Sequence, residues 1–327
     1  MSEKSSRKER NEKTKRETTR QGKHRRIRVK SRHYEMPFSR GVLARSLTAI
    51  GVEPHKAYEI ALKIKEELQE EGIDKISTDE LADIIRTKLE EIDETLAERY
   101  ELWRKIKKRE EPIIVLIGGA SGVGTSTIAS EVGHRLGITN VIGTDAIREV
   151  MRRVLAEELY PTLYESSYTA WKRLRYEPAE DPVITGFLDH SEPVVVGIEG
   201  VVNRSINEGI HVIVEGVHIV PRLIKREILN YPNVFVFMLS VEDEEAHKWR
   251  FYARSRDTKL SRPAERYLKY FEEIRRIHDF LVEDAEEHDI PVINNEHIDE
   301  TVDQIVSYIS SKLLKGEREL SKSVSWW

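Results

Sequence analysis

Ile113-Ile114-Val115-Leu116-Ile117-Gly118-Gly119-Ala120-Ser121-Gly122-Val123-Gly124-Thr125-Ser126-Thr127 is an apolar run that empties into a glycine-rich turn, and a helix-compatible segment follows it. This is the strand–loop–helix order of a phosphate-binding loop, G-x-x-x-x-G-K-[ST], with one departure: Thr125 stands where the motif has lysine. Glycines let backbone N–H groups approach phosphate oxygens closely, and the following helix turns its positive end toward the same anion. Gly119, Ala120, Ser121, Gly122, Val123, Gly124, Thr125, Ser126 and Thr127 are therefore the expected phosphate-binding residues for ATP, with the Ser126 hydroxyl on Mg²⁺. Without the lysine, the charge it shares with the β- and γ-phosphates has to come from another side chain.

Downstream of the loop, short β-branched runs alternate with helical patterns. Strands are expected at 140–142, 212–215, 234–239 and 291–293, and helices at 126–136, 145–157, 194–208, 242–254, 264–287 and 299–314. The stretch 160–190 is aromatic, basic and irregular. Such alternation predicts an α/β fold, a parallel sheet flanked by helices, with ligands at the carboxyl ends of the strands.

The residues that carry chemistry fall at those strand ends. Asp145 follows the second strand, where a carboxylate can face an acceptor hydroxyl and take its proton. Arg148, three residues on, shares its helix face and can hold an anion bidentately. Glu215 closes the strand Val212-Ile213-Val214 and reads as the Walker B carboxylate of the Mg²⁺ shell. The segment 247–256 is dense in arginine; Arg250, Arg254 and Arg256 are candidates to close over the phosphates and stand in for the absent lysine. Lys172, Arg173 and Arg175 stand together in an otherwise acidic body and point to an anionic acceptor.

Composition narrows the class. The 327 residues suffice for two domains, and the absence of cysteine excludes disulfides and thiolate chemistry. The histidines show neither H-x-x-x-H nor H-E-x-x-H spacing. No apolar run reaches membrane-spanning length and the charged N-terminus is no secretory signal, so a cytoplasmic protein is expected. Residues 1–32 hold 14 of the 53 basic and 4 of the 58 acidic residues, a basic tail before an acidic body. The tail is expected to be a disordered, solvated extension, not a nucleic-acid arm, since no aromatics interleave its charges. The chain divides into this tail (1–26), a first domain (27–94), a charged helical linker (95–111), a second domain (112–315) and a C-terminal tail (316–327). In the first domain a strand at 27–30 is followed by helices at 40–50, 54–71 and about 78–92, the last opened by the cap Ser77-Thr78-Asp79-Glu80.

The first domain resembles the ATP-cone, a small, mainly helical nucleotide-sensing module, through Val29-Lys30-Ser31-Arg32, Pro37-Phe38-Ser39, Leu43-Ala44-Arg45-Ser46-Leu47 and Ile76-Ser77-Thr78-Asp79-Glu80-Leu81. The resemblance implies a regulatory nucleotide held by Lys30 and Arg32, although Ser31 separates what is a basic pair in that family. Over 27–315 the order of an ATP-cone, the lysine-free loop, Gly143-Thr144-Asp145-Ala146-Ile147-Arg148, Val214-Glu215-Gly216-Val217-His218 and the arginine segment resembles the archaeal 2-phosphoglycerate kinase family. That resemblance implies a P-loop kinase-like domain that uses Mg²⁺ and ATP to phosphorylate 2-phosphoglycerate, feeding cyclic 2,3-bisphosphoglycerate synthesis. The residues alone leave two alternatives open: a kinase of another phosphorylated acceptor such as a polyol phosphate, and an ATP-sensing regulator whose basic arm binds nucleic acid. The regulator predicts salt-sensitive nucleic-acid binding that is lost on removal of residues 1–26, and no turnover dependent on a small acid.

Overall fold

The computed structural model describes residues 27–31, 34–109, 111–257 and 264–323, without the side chains of 254–257 and 314–323. The basic tail, Arg32 and the terminal Trp326-Trp327 lie outside the described residues. The chain forms two compact units, divided between Arg104 and Lys105.

The first unit holds strands β1 (Arg28–Lys30) and β2 (Glu35–Pro37), helices α1 (Arg40–Thr48) and α2 (Pro54–Glu70), strand β3 (Lys75–Ser77), helix α3 (Thr78–Glu90) and the start of α4 (Glu94–Lys108). The strands form a sheet of order β2-β1-β3, antiparallel then parallel. Ser77 and Glu80 close a full capping box at the start of α3. Leu47, Ile64, Leu68 and Leu89 form its dry centre. The strands β2 and β3 escape the sequence pattern because three residues are too few to show a period of two.

The second unit runs through β4 (Ile114–Gly118), α5 (Thr125–Leu136), β5 (Val141–Gly143), α6 (Thr144–Val154), α7 (Pro182–Glu208), β6 (Val212–Gly216), α8 (Arg226–Leu229), β7 (Val234–Ser240), α9 (Glu244–Asp257), α10 (Ala264–Leu268), α11 (Phe271–Glu287), β8 (Val292–Asn294) and α12 (Ile298–Ser323). Its strands form one parallel sheet of order β5-β6-β4-β7-β8. Every residue of β4 is buried, with Leu116 opposite Val214 on one side and Val236 on the other. A central strand covered on both faces has to be uniformly apolar, as the 113–117 run is. Successive strands leave β4 in opposite directions, so the loop after it opens at the switch point of the sheet.

Several helices differ from expectation: α12 runs to Ser323, past the expected 314 and into the stretch 316–327 expected as a tail, and the one-turn α8 has no counterpart among the expected helices. Helix α7 starts twelve residues before the expected 194, because Asp181 caps it through the Val183 N–H and Pro182 occupies its first turn. Pro193, one residue before the expected start, sits buried inside it. The single helix expected over 264–287 is two, α10 and α11, parted at Tyr270, whose ring packs 5.8 Å from that of Tyr168 and whose hydroxyl accepts a bond from Lys172. Tertiary contacts override helical periodicity there.

Two glycines of α7 separate packing from propensity. A Cβ at Gly186 comes within 2.3 Å of the Trp171 backbone, whereas Gly200 is exposed with nothing within 4 Å. Gly186→Ala is expected to destabilise the protein by about 1–3 kcal/mol through overpacking. Gly200→Ala is expected to stabilise it by about 0.5–1 kcal/mol. Denaturant unfolding of the two variants checks the signs.

Candidate active site

The glycine-rich loop between β4 and α5 is braced from outside through its carbonyl oxygens. His247 Nε2 donates to the Ser121 carbonyl at 2.8 Å. The Val123 carbonyl accepts from Arg250 and from Asn295 Nδ2, each at 2.8 Å. Arg250 also donates to the Asn295 carbonyl, and Thr301 fixes the Asn295 side chain. Gly124, at φ +98°, is the N-cap of α5, and a Cβ there meets Asn295 Nδ2 at 2.9 Å. The left-handed backbone and the close approach both require glycine.

At the start of α5 the side chain in the lysine position turns to the strand-end carboxylate of β6. Thr125 Oγ1 donates to Glu215 Oε2 at 2.7 Å, and Ser126 Oγ donates to Oε1 of the same carboxylate at 2.9 Å. The carboxylate at the end of β6 thus bridges both hydroxyls. These are hard oxygen donors of the kind Mg²⁺ takes. Among the described residues no three His, Asp or Glu side chains are grouped to hold a metal. Ser126 and Glu215 therefore suit an ion that shares its shell with nucleotide phosphates, as Mg²⁺ commonly does.

A cavity of about 720 Å³ opens over this loop. Its walls include Asp145, exposed at the first turn of α6, and three arginines: Arg148, Arg250 and Arg266. Arg250 is engaged with loop carbonyls, and burial lowers its guanidinium pKa. Arg148 donates to the Glu165 carbonyl at 3.1 Å and pairs with Glu149. Arg266 on α10 donates to Ser166 Oγ at 3.0 Å. Its neighbour Tyr267 stacks on Phe251 at 4.9 Å and packs against Tyr168 at 5.7 Å, a platform that presents Arg266 to the cavity.

The expected site residues are only partly brought together. Gly119, Ala120, Ser121, Gly122, Gly124, Thr125, Ser126 and Thr127 line the cavity with Asp145, Arg148, Glu215 and Arg250, while Val123 is buried behind them. Lys172, Arg173 and Arg175 are not on its wall. Lys172 donates to the Tyr270 hydroxyl at 2.8 Å and lies over that ring, Arg173 pairs with Glu157 and Glu165, and Arg175 is exposed. Lys172 and Arg173 tie the insert to its surroundings, an internal demand that composition alone does not distinguish from ligand binding. The side chains of Arg254 and Arg256 lie outside the described residues. In the first unit Lys30 is exposed on β1, paired in register with Glu35. Arg266, Asn295 and His218 reach the cavity without having been singled out. His218, three residues past Glu215, could have been found from the strand-end motif; Arg266 and Asn295 carry no local signal.

Burial dominates the titration of three histidines near the site. His190 and His247 are pushed down to about 4, and His218 lies well below its ordinary value, with His190 and Arg148 as further causes. All three imidazoles are neutral at pH 7.

The ATP cone domain family matches residues 27–109. A 2-phosphoglycerate kinase of Methanopyrus kandleri is 97% identical over 327 residues, the whole of both chains. The 2-phosphoglycerate kinases of Methanothermobacter thermautotrophicus and Methanocaldococcus jannaschii are 48% and 52% identical, over 88% and 87% of this chain and 95% and 91% of theirs. Among solved structures, a shikimate kinase from Acinetobacter baumannii aligns over 64% of this chain and 97% of its own, at 15% identity and a TM-score of 0.40.

The depressed histidines make stability pH-dependent. Below about pH 6.5 the unfolded chain binds protons that folded His190 and His247 refuse until about 4, so protons favour unfolding. Their contribution is complete above pH 6.5 and is lost as pH falls toward 4, at up to about 1.4 kcal/mol per pH unit for each. Thermal unfolding between pH 7.5 and 5 is expected to show this decline and to show it reduced in His247→Gln; a flat profile contradicts it.

Proposed function

The chain belongs to the 2-phosphoglycerate kinase family, and from that premise we propose that it transfers the γ-phosphoryl group of ATP to the free hydroxyl of 2-phosphoglycerate, giving 2,3-bisphosphoglycerate and ADP. One observation above all supports the reading: a single cavity is lined by the glycine-rich loop, Glu215, Asp145, Arg148 and Arg266, everything a transfer between a nucleotide and a small anion needs.

In this reading the loop and the positive end of α5 hold the nucleotide phosphates. Ser126 and Glu215 would hold Mg²⁺, which when bound would offset the negative charge of the nucleotide phosphates. Arg148 and Arg266 take the two anionic groups of the acceptor, its carboxylate and its phosphate, and so orient the remaining hydroxyl. Asp145 accepts the proton of that hydroxyl as its oxygen bonds to the γ-phosphorus and the bond to the ADP oxygen breaks. Arg250 supports the transition state by keeping the loop in shape, with its charge beside the phosphates in place of the lysine. The product carries phosphates on adjacent carbons, the arrangement that ring closure to cyclic 2,3-bisphosphoglycerate consumes. ATP and a phosphorylated acid as substrates fit a cytoplasmic enzyme, and no helix among the described residues is long and apolar enough to cross a membrane.

ADP release with Mg²⁺-ATP is expected to require 2-phosphoglycerate, with a second phosphate ester appearing in the phosphorus NMR spectrum; release that this acid does not stimulate refutes the acceptor. Asp145→Asn is expected to lower kcat by about 100-fold or more. Arg148→Ala and Arg266→Ala are each expected to raise the KM for the acceptor by about 10-fold or more, from loss of a charge-assisted bond, with the KM for ATP little changed.

A further inference from the structure

Four segments of the second unit meet in one buried chain of hydrogen bonds. His190 Nδ1 lies 2.8 Å from the Thr162 carbonyl oxygen, His190 Nε2 lies 2.9 Å from His218 Nε2, and His218 Nδ1 lies 2.9 Å from Thr144 Oγ1. All four residues are buried, the two imidazoles completely. A carbonyl oxygen only accepts, so neutral His190 carries its proton on Nδ1 and offers a lone pair at Nε2. His218 then carries its proton on Nε2, and its Nδ1 accepts from the Thr144 hydroxyl. The chain has a single direction: Thr144 donates to His218, His218 to His190, and His190 to the backbone of the insert.

Two further observations tie this chain to the site. The residue before α6 is Gly143, which has no side chain with which to cap the helix. Thr144 and Asp145 are the first residues of that helix, so the bond from Thr144 to His218 takes over the fixing of its first turn. On the other side, Gly216 follows Glu215 at φ +136°, and a Cβ there falls 2.1 Å from Thr144 Oγ1. The turn after Glu215 thus leaves the space through which the Thr144 hydroxyl reaches His218.

We infer that Thr144, His218 and His190 are positioning residues that lock the start of α6, and with it Asp145, against the acceptor-side insert at Thr162. The inference rests on the reading of Asp145 as the group that takes the acceptor proton. None of the three touches a reacting atom; their part is to hold the carboxylate at a fixed place in the cavity, beside the strand end that carries Glu215, which Gly143 faces in register.

The test compares Thr144→Val, which keeps the shape and removes the hydroxyl, with Thr144→Ser, which keeps the hydroxyl. In steady-state kinetics on the full chain, Thr144→Val is expected to lower kcat by about 10-fold or more while the KM for ATP stays within about 2-fold, and Thr144→Ser to restore most of the loss, since small misplacements of a catalytic group carry such penalties. Equal effects of the two variants, or a parental kcat in Thr144→Val, overturn the inference. Nitrogen-15 NMR of histidine-labelled parent protein gives a readout independent of activity and of how the valine variant folds: His190 protonated at Nδ1 and His218 at Nε2 are expected, and either opposite tautomer overturns it. Asp145→Asn measured in parallel separates the two readings. A parental kcat there removes Asp145 as the base and the positioning role with it, whereas loss there beside a parental kcat in Thr144→Val removes the positioning role alone.

Discussion

A loop that turns its backbone amides toward phosphate has to turn carbonyls the other way, and each buried carbonyl then needs a donor. In this protein the donors for Ser121 and Val123 come from His247 and Arg250 on α9 and from Asn295 just past β8. The requirement reaches far along the chain. Helix α9 has to lie over the loop, Asn295 has to be held by Thr301 at the start of α12, and His247, kept neutral by burial, has to carry its one proton on Nε2. The depressed pKa of His247 and the lowered pKa of Arg250 are two costs of covering one turn of backbone.

The same geometry gives an account of a loop without lysine. An ammonium at position 125 would lie beside the Glu215 carboxylate, on which Thr125 and Ser126 now converge. The threonine hydroxyl gives that carboxylate a neutral partner and leaves its negative charge unpaired by an ammonium. Positive charge enters the cavity on Arg148, Arg250 and Arg266, which project from three different helices. A guanidinium offers several fixed N–H groups, so Arg250 can brace two carbonyls and still bring its charge to the loop, which a lysine ammonium does less specifically.

The insert between β5 and β6 is joined to this frame by rings. Phe251 stacks on Tyr267, Tyr267 meets Tyr168, and Tyr168 meets Tyr270, which Lys172 covers from above. Offset and tilted ring contacts of this kind add modest stabilisation beyond their burial but fix orientation well. They connect the arginine-bearing helix α9 to the insert through α10, so two walls of the cavity share one set of packed side chains.

The strand–loop–helix at 113–127, the parallel α/β sheet and the strand-end carboxylates Asp145 and Glu215 were legible in the sequence, because each is a local pattern: a buried strand is apolar throughout, a phosphate loop needs its glycines at fixed spacing, and polar residues collect where parallel strands end. What the chain could not announce is which distant residues meet. His190 and His218 are 28 positions apart and Thr144 lies 74 positions before His218, yet a 2.9 Å bond joins each pair. Lys172 and Arg173 looked like ligands for an anion and are held instead by Tyr270 and Glu157, while Arg266, with no motif around it, faces the cavity. Spacing along the chain sets which residues share a strand or a helix face. Only the crossing of those elements in the folded sheet decides which charge finds an internal partner and which is left for a substrate.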